Sequence, residues 1–195
     1  MKQIKKVFIS ACELSADKYA AELAIEWKKI NPNIHLIGVG SDASRQAGID
    51  VRLDMSMYST VGLMEPLRFA PKLITSFLKI KKILKKEKPD IFIPIDNQGF
   101  HIKCCSVAKT LGIPTAYFIA PQHWHWGTSK QGKKVAELVD HILAIFPQEK
   151  TFYEDCGANV KFVGHPCIDR VKKISKSRPS SHLLGIFPGS RRQEI

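Results

Sequence analysis

The sequence predicts an α/β fold, a parallel sheet with helices on both faces, on three observations. Short apolar runs alternate with helix-period segments, the pattern of strands joined by covering helices. Polar and aromatic residues gather just after the strand-like runs, at what would be one edge of such a sheet, where open parallel sheets bind ligands. The chain has 195 residues, 44% hydrophobic and 25% charged, enough for one complete α/β domain with little left over.

The elements follow in order. Strands are expected at Val7–Ser10, His35–Val39, Ile91–Ile95, Thr115–Ile119, Ile142–Phe146, Val160–Val163 and Leu183–Phe187. Between them, helices are expected at Ser15–Ile30, Pro66–Lys88, Phe100–Leu111, Ser129–Leu138, Gln148–Cys156 and Ile168–Ile174. No internal repeat is evident. Residues 1–175 form the expected domain, and 176–182, overlapping the polar run SKSRPSS at 175–181, read as a linker. A fresh strand and the turn Pro188-Gly189-Ser190 then open a second domain over 183–195, which the sequence leaves unfinished.

The formal net charge is +12. It points to an anionic partner or to a solubilising lysine-rich surface. No nucleic-acid-binding motif accompanies it. The five cysteines, Cys12, Cys104, Cys105, Cys156 and Cys167, contain no C-x-x-C pair, so neither a zinc ribbon nor a disulfide framework is indicated and a reducing, cytoplasmic setting fits. The N-terminal apolar run is too short for a signal segment, and no run approaches membrane-spanning length. Over Pro66–Lys88, apolar residues including Leu73, Ile74, Phe77 and Leu78 accompany seven lysines. Such a helix either lies on an anionic membrane surface or docks on the sheet with its lysines in water.

Asp96 is the leading candidate for chemistry. It ends a strand of Ile, Phe and Pro, so burial at the cleft mouth would raise its pKa and make it a better general base; the alternative is capping of the helix that follows. Glu13, Ser15 and Asp17 precede a long helical pattern, where Ser15 is a natural cap and the helix N-terminus a ready anion site. Gln122, His123, Trp124, His125 and Trp126 form a compact imidazole and aromatic group suited to stacking on a sugar or acyl chain, or to core packing. No second ligand pair stands at metal spacing, so no metal is expected there. Gly38-Val39-Gly40-Ser41-Asp42-Ala43 matches a dinucleotide fingerprint but follows the second strand and lacks the later acidic residue, so its glycines are read as turn residues. Ser190 and Arg191 could bind a phosphate through small-residue amides and a guanidinium, or form an ordinary strand-to-helix turn with the Arg in water.

Seven segments in order resemble the lipid-A-disaccharide synthase family. The family's G-E-x-S-G-D loop corresponds to Cys12-Glu13-Leu14-Ser15-Ala16-Asp17, and V-M-G-x-x-E to the segment ending at Glu65. P-D-x-x-x-x-I-D is met by Pro89–Asp96, and S-P-x-x-W-A-W by Ala120–Trp126. LAIFPQEKTFYE, FVGHP with His165, and PGSRRQEI align as well. The resemblance implies the first, Rossmann-like half of a two-domain GT-B glycosyltransferase. The implied reaction joins UDP-2,3-diacylglucosamine to 2,3-diacylglucosamine 1-phosphate (lipid X), releasing UDP by inverting transfer, with no cofactor or metal. It implies Asp96 as the base, and substrate contacts at Glu13, Ser15, Asp17, Glu65, Gln122, Trp124, Trp126 and His165. Ser190 and Arg191 would bind donor phosphate, and the basic helix would meet the inner face of the cytoplasmic membrane. Departures are expected to matter. Cys12 and Ala16 replace glycines and would crowd their loop, Gln148 replaces an aromatic, and Asn97–His101 replaces x-P-D-F-N and so removes a second acidic group. The second domain would hold most of the donor site, so this chain alone is expected to lack high donor affinity. Other readings are a non-catalytic fragment binding lipid or membrane, and a different GT-B enzyme such as an epimerase.

Overall fold

The computed structural model describes residues 4–55 and 66–172. Among them, seven strands form one wholly parallel sheet in the order β3-β2-β1-β4-β5-β6-β7. The strands are β1 (Lys6–Ala11), β2 (His35–Val39), β3 (Asp50–Leu53), β4 (Ile91–Ile95), β5 (Ala116–Phe118), β6 (His141–Ala144) and β7 (Val160–Phe162). The helices are α1 (Leu14–Ile30), α2 (Asp42–Gln46), α3 (Pro66–Glu87), α4 (Gln98–Thr110), α5 (His123–Trp126), α6 (Ser129–Leu138), α7 (Pro147–Asp155) and α8 (Cys167–Lys172). The strand and turn expected after residue 182, the linker, Glu65, Ser190 and Arg191 lie outside the described residues.

Strand β1 divides the core in two. Val7, Ile9 and Ala11 face one layer, where Ala16, Ala20 and Ala24 of α1 pack at helical spacing. Phe8 and Cys12 face the other, shared with Ile80 and Leu84 of α3, Cys104 and Ala108 of α4, Val135 of α6 and Tyr153 of α7. The alanine stripe lets α1 approach the sheet closely, and Asn31 before Pro32 ends the helix. Each fully buried large side chain, such as Phe8 or Phe92, contributes about 1.5–3 kcal/mol as an upper estimate.

Three elements escaped the sequence reading. Strand β3 reads Asp-Val-Arg-Leu and sits at the sheet edge, where one neighbour suffices and no apolar run is needed. Helices α2 and α5 span only five and four residues, below the length at which periodicity can be read. Pro94 lies within central β4, an unusual place for a residue without an N–H. Phe92 donates to the Pro114 carbonyl and Asp96 to that of Phe118; the bond that would fall between them is the one Pro94 cannot make. The β4–β5 ladder is correspondingly interrupted.

Of the glycines in the fingerprint-like segment, Gly40 lies in the short connection from β2 to α2, but Gly38 is not a turn residue. Gly38 lies inside β2, and a Cβ there would sit 1.8 Å from the Ile9 carbonyl oxygen. A Cβ at Gly40 would meet Ser44 Oγ at 2.5 Å and Asp17 Oδ1 at 2.9 Å. Close approach of neighbouring chain segments requires both.

Candidate active site

Strand order reverses between β1 and β4, whose connections lead to opposite sides, and the crevice outside their carboxyl ends is the natural ligand position. The loop after β1 carries Glu13 at that end of the sheet, and Asp96 directly follows β4 there, where Ala11 and Ile95 stand in register. Asp90, at the opposite end of β4, accepts the N–H groups of Lys5 and Lys6 at 3.0 Å each. One aspartate of the motif therefore joins strands while the other opens on the crevice.

Asp96 is held by its main chain. Its N–H donates to Phe118 at 3.1 Å. Its carbonyl accepts from His101 Nδ1 at 2.6 Å and from the Tyr117 hydroxyl at 2.9 Å. Asp96 and Asn97 are both left-handed, with φ of 55° and 49°, a conformation Asp and Asn tolerate better than most residues. Asn97 occupies the N-cap position of α4 without a side-chain cap, so Asp96 lies outside the helix and does not cap it. Burial pushes its carboxyl above the ordinary range, and the Asn97 N–H partly opposes this. Ile119, just after β5, is also left-handed at φ 57°, uncommon strain for a β-branched residue at a cleft edge.

Asp17 has a different task. It is 3% exposed, and its carboxylate accepts N–H groups from Ser41 at 2.7 Å, Ala43 at 3.1 Å and Ser44 at 3.3 Å. Two of those amides belong to the fingerprint-like segment and the third to the residue after it, so the anion that this loop cradles is the protein's own. Ser15 is exposed within the first turn of α1, while Glu13 takes the N-cap position, also without a side-chain cap. Ser15 therefore does not cap the helix: the turn begins one residue earlier than its sequence suggests. The expected crowding at Cys12 and Ala16 is not seen, because both side chains turn into the core and are 0% and 1% exposed.

An aromatic ledge runs along the edge of β5 to β7. Trp126 contacts His125 with ring centres 4.0 Å apart, His125 stacks on Trp124 at 5.3 Å, Trp124 meets Phe146 at 5.6 Å, and Phe146 meets His165 at 5.5 Å. Trp126 is 79% exposed, whereas Trp124 is half-buried with its Nε1–H buried and unpaired. Gln122 is exposed at the start of α5. His123 is buried, its Nε2 3.5 Å from Gln98 Nε2. Among the described residues no group of three or more His, Cys, Asp or Glu side chains could hold a metal ion.

Sequence reasoning missed His101, Tyr117 and Phe146 as contributors to this edge. In the sequence His101 marks only a departure from a motif. Its place in the first turn of a helix that starts two residues after Asp96 is the signal that could have found it. A cavity of about 570 Å3 lies between α1 and α8, lined by Glu22, Ile25, Glu26, Lys29, Pro166, Asp169 and Arg170; none of the sequence-predicted site residues lines it.

This sheet order, with its crevice at the β1/β4 reversal, defines a Rossmann-like domain, and its structural neighbours are proteins of the GT-B fold type. Several solved structures share the fold, two of them as follows. A protein described as a UDP-N-acetylglucosamine 2-epimerase from Listeria monocytogenes matches with TM-score 0.63 at 14% identity, over 93% of this chain and 50% of its own. The UDP-GlcNAc 2-epimerase of Neisseria meningitidis, solved bound to UDP-GlcNAc, matches with TM-score 0.60 at 14% identity, over 87% of this chain and 48% of its own. The family model described as lipid-A-disaccharide synthetase matches residues 7–195, and the chain belongs to that family. The lipid-A-disaccharide synthase of Trichlorobacter lovleyi is 39% identical over 98% of this chain, and that of Geobacter metallireducens 38% over 98%. The chain spans about half the length of these relatives, 52% in each case.

Proposed function

We propose that the protein of which this chain is part transfers a diacylglucosamine unit from its UDP donor to lipid X, with Asp96 as general base. The observation that carries this reading is the Asp96 carboxyl at the β1/β4 crevice, its pKa raised by burial and its main chain held at both N–H and carbonyl. The acceptor hydroxyl would give its proton to the carboxylate as its oxygen attacks the anomeric carbon. The sugar–phosphate bond breaks, and UDP departs with the bonding electron pair. Family membership supports the reaction class. The aromatic ledge supports a sugar or acyl contact at Trp124 and Trp126, and Glu13, Gln122 and His165 edge the same face.

The test is Asp96→Asn in the full-length protein. Donor binding should persist while kcat falls by about 10²–10⁴-fold, the usual contribution of a general base. Unchanged turnover removes Asp96 from that role.

The exposed face of α3 favours a membrane contact as well. Leu73, Phe77, Ile80, Ile83 and Leu84 pack toward the core, but Ile74 and Leu78 are 60% and 54% exposed beside exposed Lys81, Lys82, Lys85 and Lys86. Apolar side chains flanked by lysines suit the surface of an anionic bilayer that carries acylated substrates. No helix of the described residues is long and apolar enough to cross a membrane.

A further inference from the structure

The buried histidine beneath the crevice touches no exposed surface, yet its hydrogen bonds leave it only one arrangement. His101 is 0% exposed. Its Nδ1 lies 2.6 Å from the Asp96 carbonyl oxygen, which can only accept, so Nδ1 carries the proton. Nε2 lies 2.8 Å from Ser10 Oγ. A neutral ring has no second proton, so Nε2 accepts and the Ser10 hydroxyl donates. Cys12 Sγ stands 3.4 Å from the same nitrogen. Burial holds the ring neutral, lowering its pKa from the ordinary 6.5 to about 4. The Tyr117 hydroxyl donates to the same Asp96 carbonyl from β5.

These contacts converge on one peptide group. The carbonyl of Asp96 follows a left-handed residue and precedes another, a pair of conformations that would relax without outside restraint. Two donors from different elements, one on α4 and one on β5, keep it turned into the core. Its direction sets where the Asp96 side chain emerges. We propose that His101, as the Nδ1–H tautomer backed by Ser10, is a positioning residue that holds the Asp96 carbonyl and thereby aims the Asp96 carboxyl at the crevice. The proposal rests on the reading of Asp96 as the base. It assigns His101 no contact with substrate.

Two amide variants separate the ring nitrogens. In His101→Asn the side-chain N–H falls near Nδ1 and can still reach the Asp96 carbonyl, while Ser10 loses its partner. His101→Gln reaches Ser10 instead and leaves the carbonyl with Tyr117 alone. Each loses one buried hydrogen bond, so a purely structural role would lower stability and turnover alike in both. In the full-length protein we expect His101→Gln to lower kcat by roughly 10–100-fold with KM little changed, because small misplacement of a catalytic group is costly. His101→Asn should stay within about threefold of the parent on the same argument. Equal losses in both variants, or full turnover in His101→Gln, overturn the proposal. Asp96→Asn run alongside isolates the other failure. If it retains turnover the base reading is wrong, whereas an inactive Asp96→Asn with an active His101→Gln removes only the positioning role. Should the variants fold poorly, nitrogen-15 NMR of the histidine-labelled parent protein reads the tautomer directly. A proton on Nδ1 supports the arrangement, and a proton on Nε2 overturns it.

Discussion

Asp17 and Asp96 both stand near the crevice, and their surroundings give them opposite work. Three backbone N–H groups surround the carboxylate of Asp17 and make it part of the α1–α2 junction. The Asp96 carboxyl is more open, and its fixed groups are those of the backbone. Beneath it, His101 carries a pH signature. Its pKa is about 4 in the fold against 6.5 ordinarily, so between those values the unfolded chain takes up a proton that the folded chain refuses. Stability is therefore fully present above about pH 6.5 and declines toward pH 4, by at most on the order of 3 kcal/mol. Burial raises the Asp96 and Glu149 carboxyls, which acts in the opposite sense but equally in a variant. Urea unfolding of the parent and of His101→Asn should show their stability difference shifting against the parent as pH falls through this window. A constant difference would mean that His101 is not held neutral.

Among the elements, α3 divides its apolar residues between two tasks, with one set under the sheet and Ile74 and Leu78 outside. Replacing Lys81, Lys82, Lys85 and Lys86 by Gln in the full-length protein should weaken partition onto anionic vesicles at low salt by up to about 10³-fold, since each lysine near such a surface is worth about 1 kcal/mol. Activity on a detergent-dispersed substrate should persist. Undiminished vesicle binding would return these lysines to a solvated face. Two further elements show how local chemistry sets the cleft edge. Thr128 and Gln131 form a reciprocal cap that starts α6. Glu149 accepts the N–H groups of Ile145 and Phe146 at 2.8 and 3.4 Å, fixing the turn from which Phe146 joins the aromatic ledge.

At the scale of the molecule, the fingerprint-like loop offers no free phosphate cradle, because Asp17 already occupies its amides. A donor nucleotide should therefore bind the full-length protein well and residues 1–195 alone roughly 100-fold more weakly, a difference calorimetric titration resolves easily. Comparable affinity in the short chain would place the donor site within this half.

The sequence by itself determined the alternation of strands and helices, the carboxyl-edge cluster and the motifs of the family, since each is written in residues adjacent along the chain. Seven ordered motifs carried the resemblance, and the position of Asp96 at the carboxyl end of β4 was legible because an acidic residue follows an apolar strand. Only the tertiary structure decided the rest. That Asp17 serves Ser41, Ala43 and Ser44, that Gly38 is excluded from side chains by Ile9, and that Ser10 reaches His101 across 91 positions are facts of packing between elements. The physical reason is that such hydrogen bonds and close approaches depend on which distant backbones the sheet order brings together. Local propensity and spacing carry no record of that order.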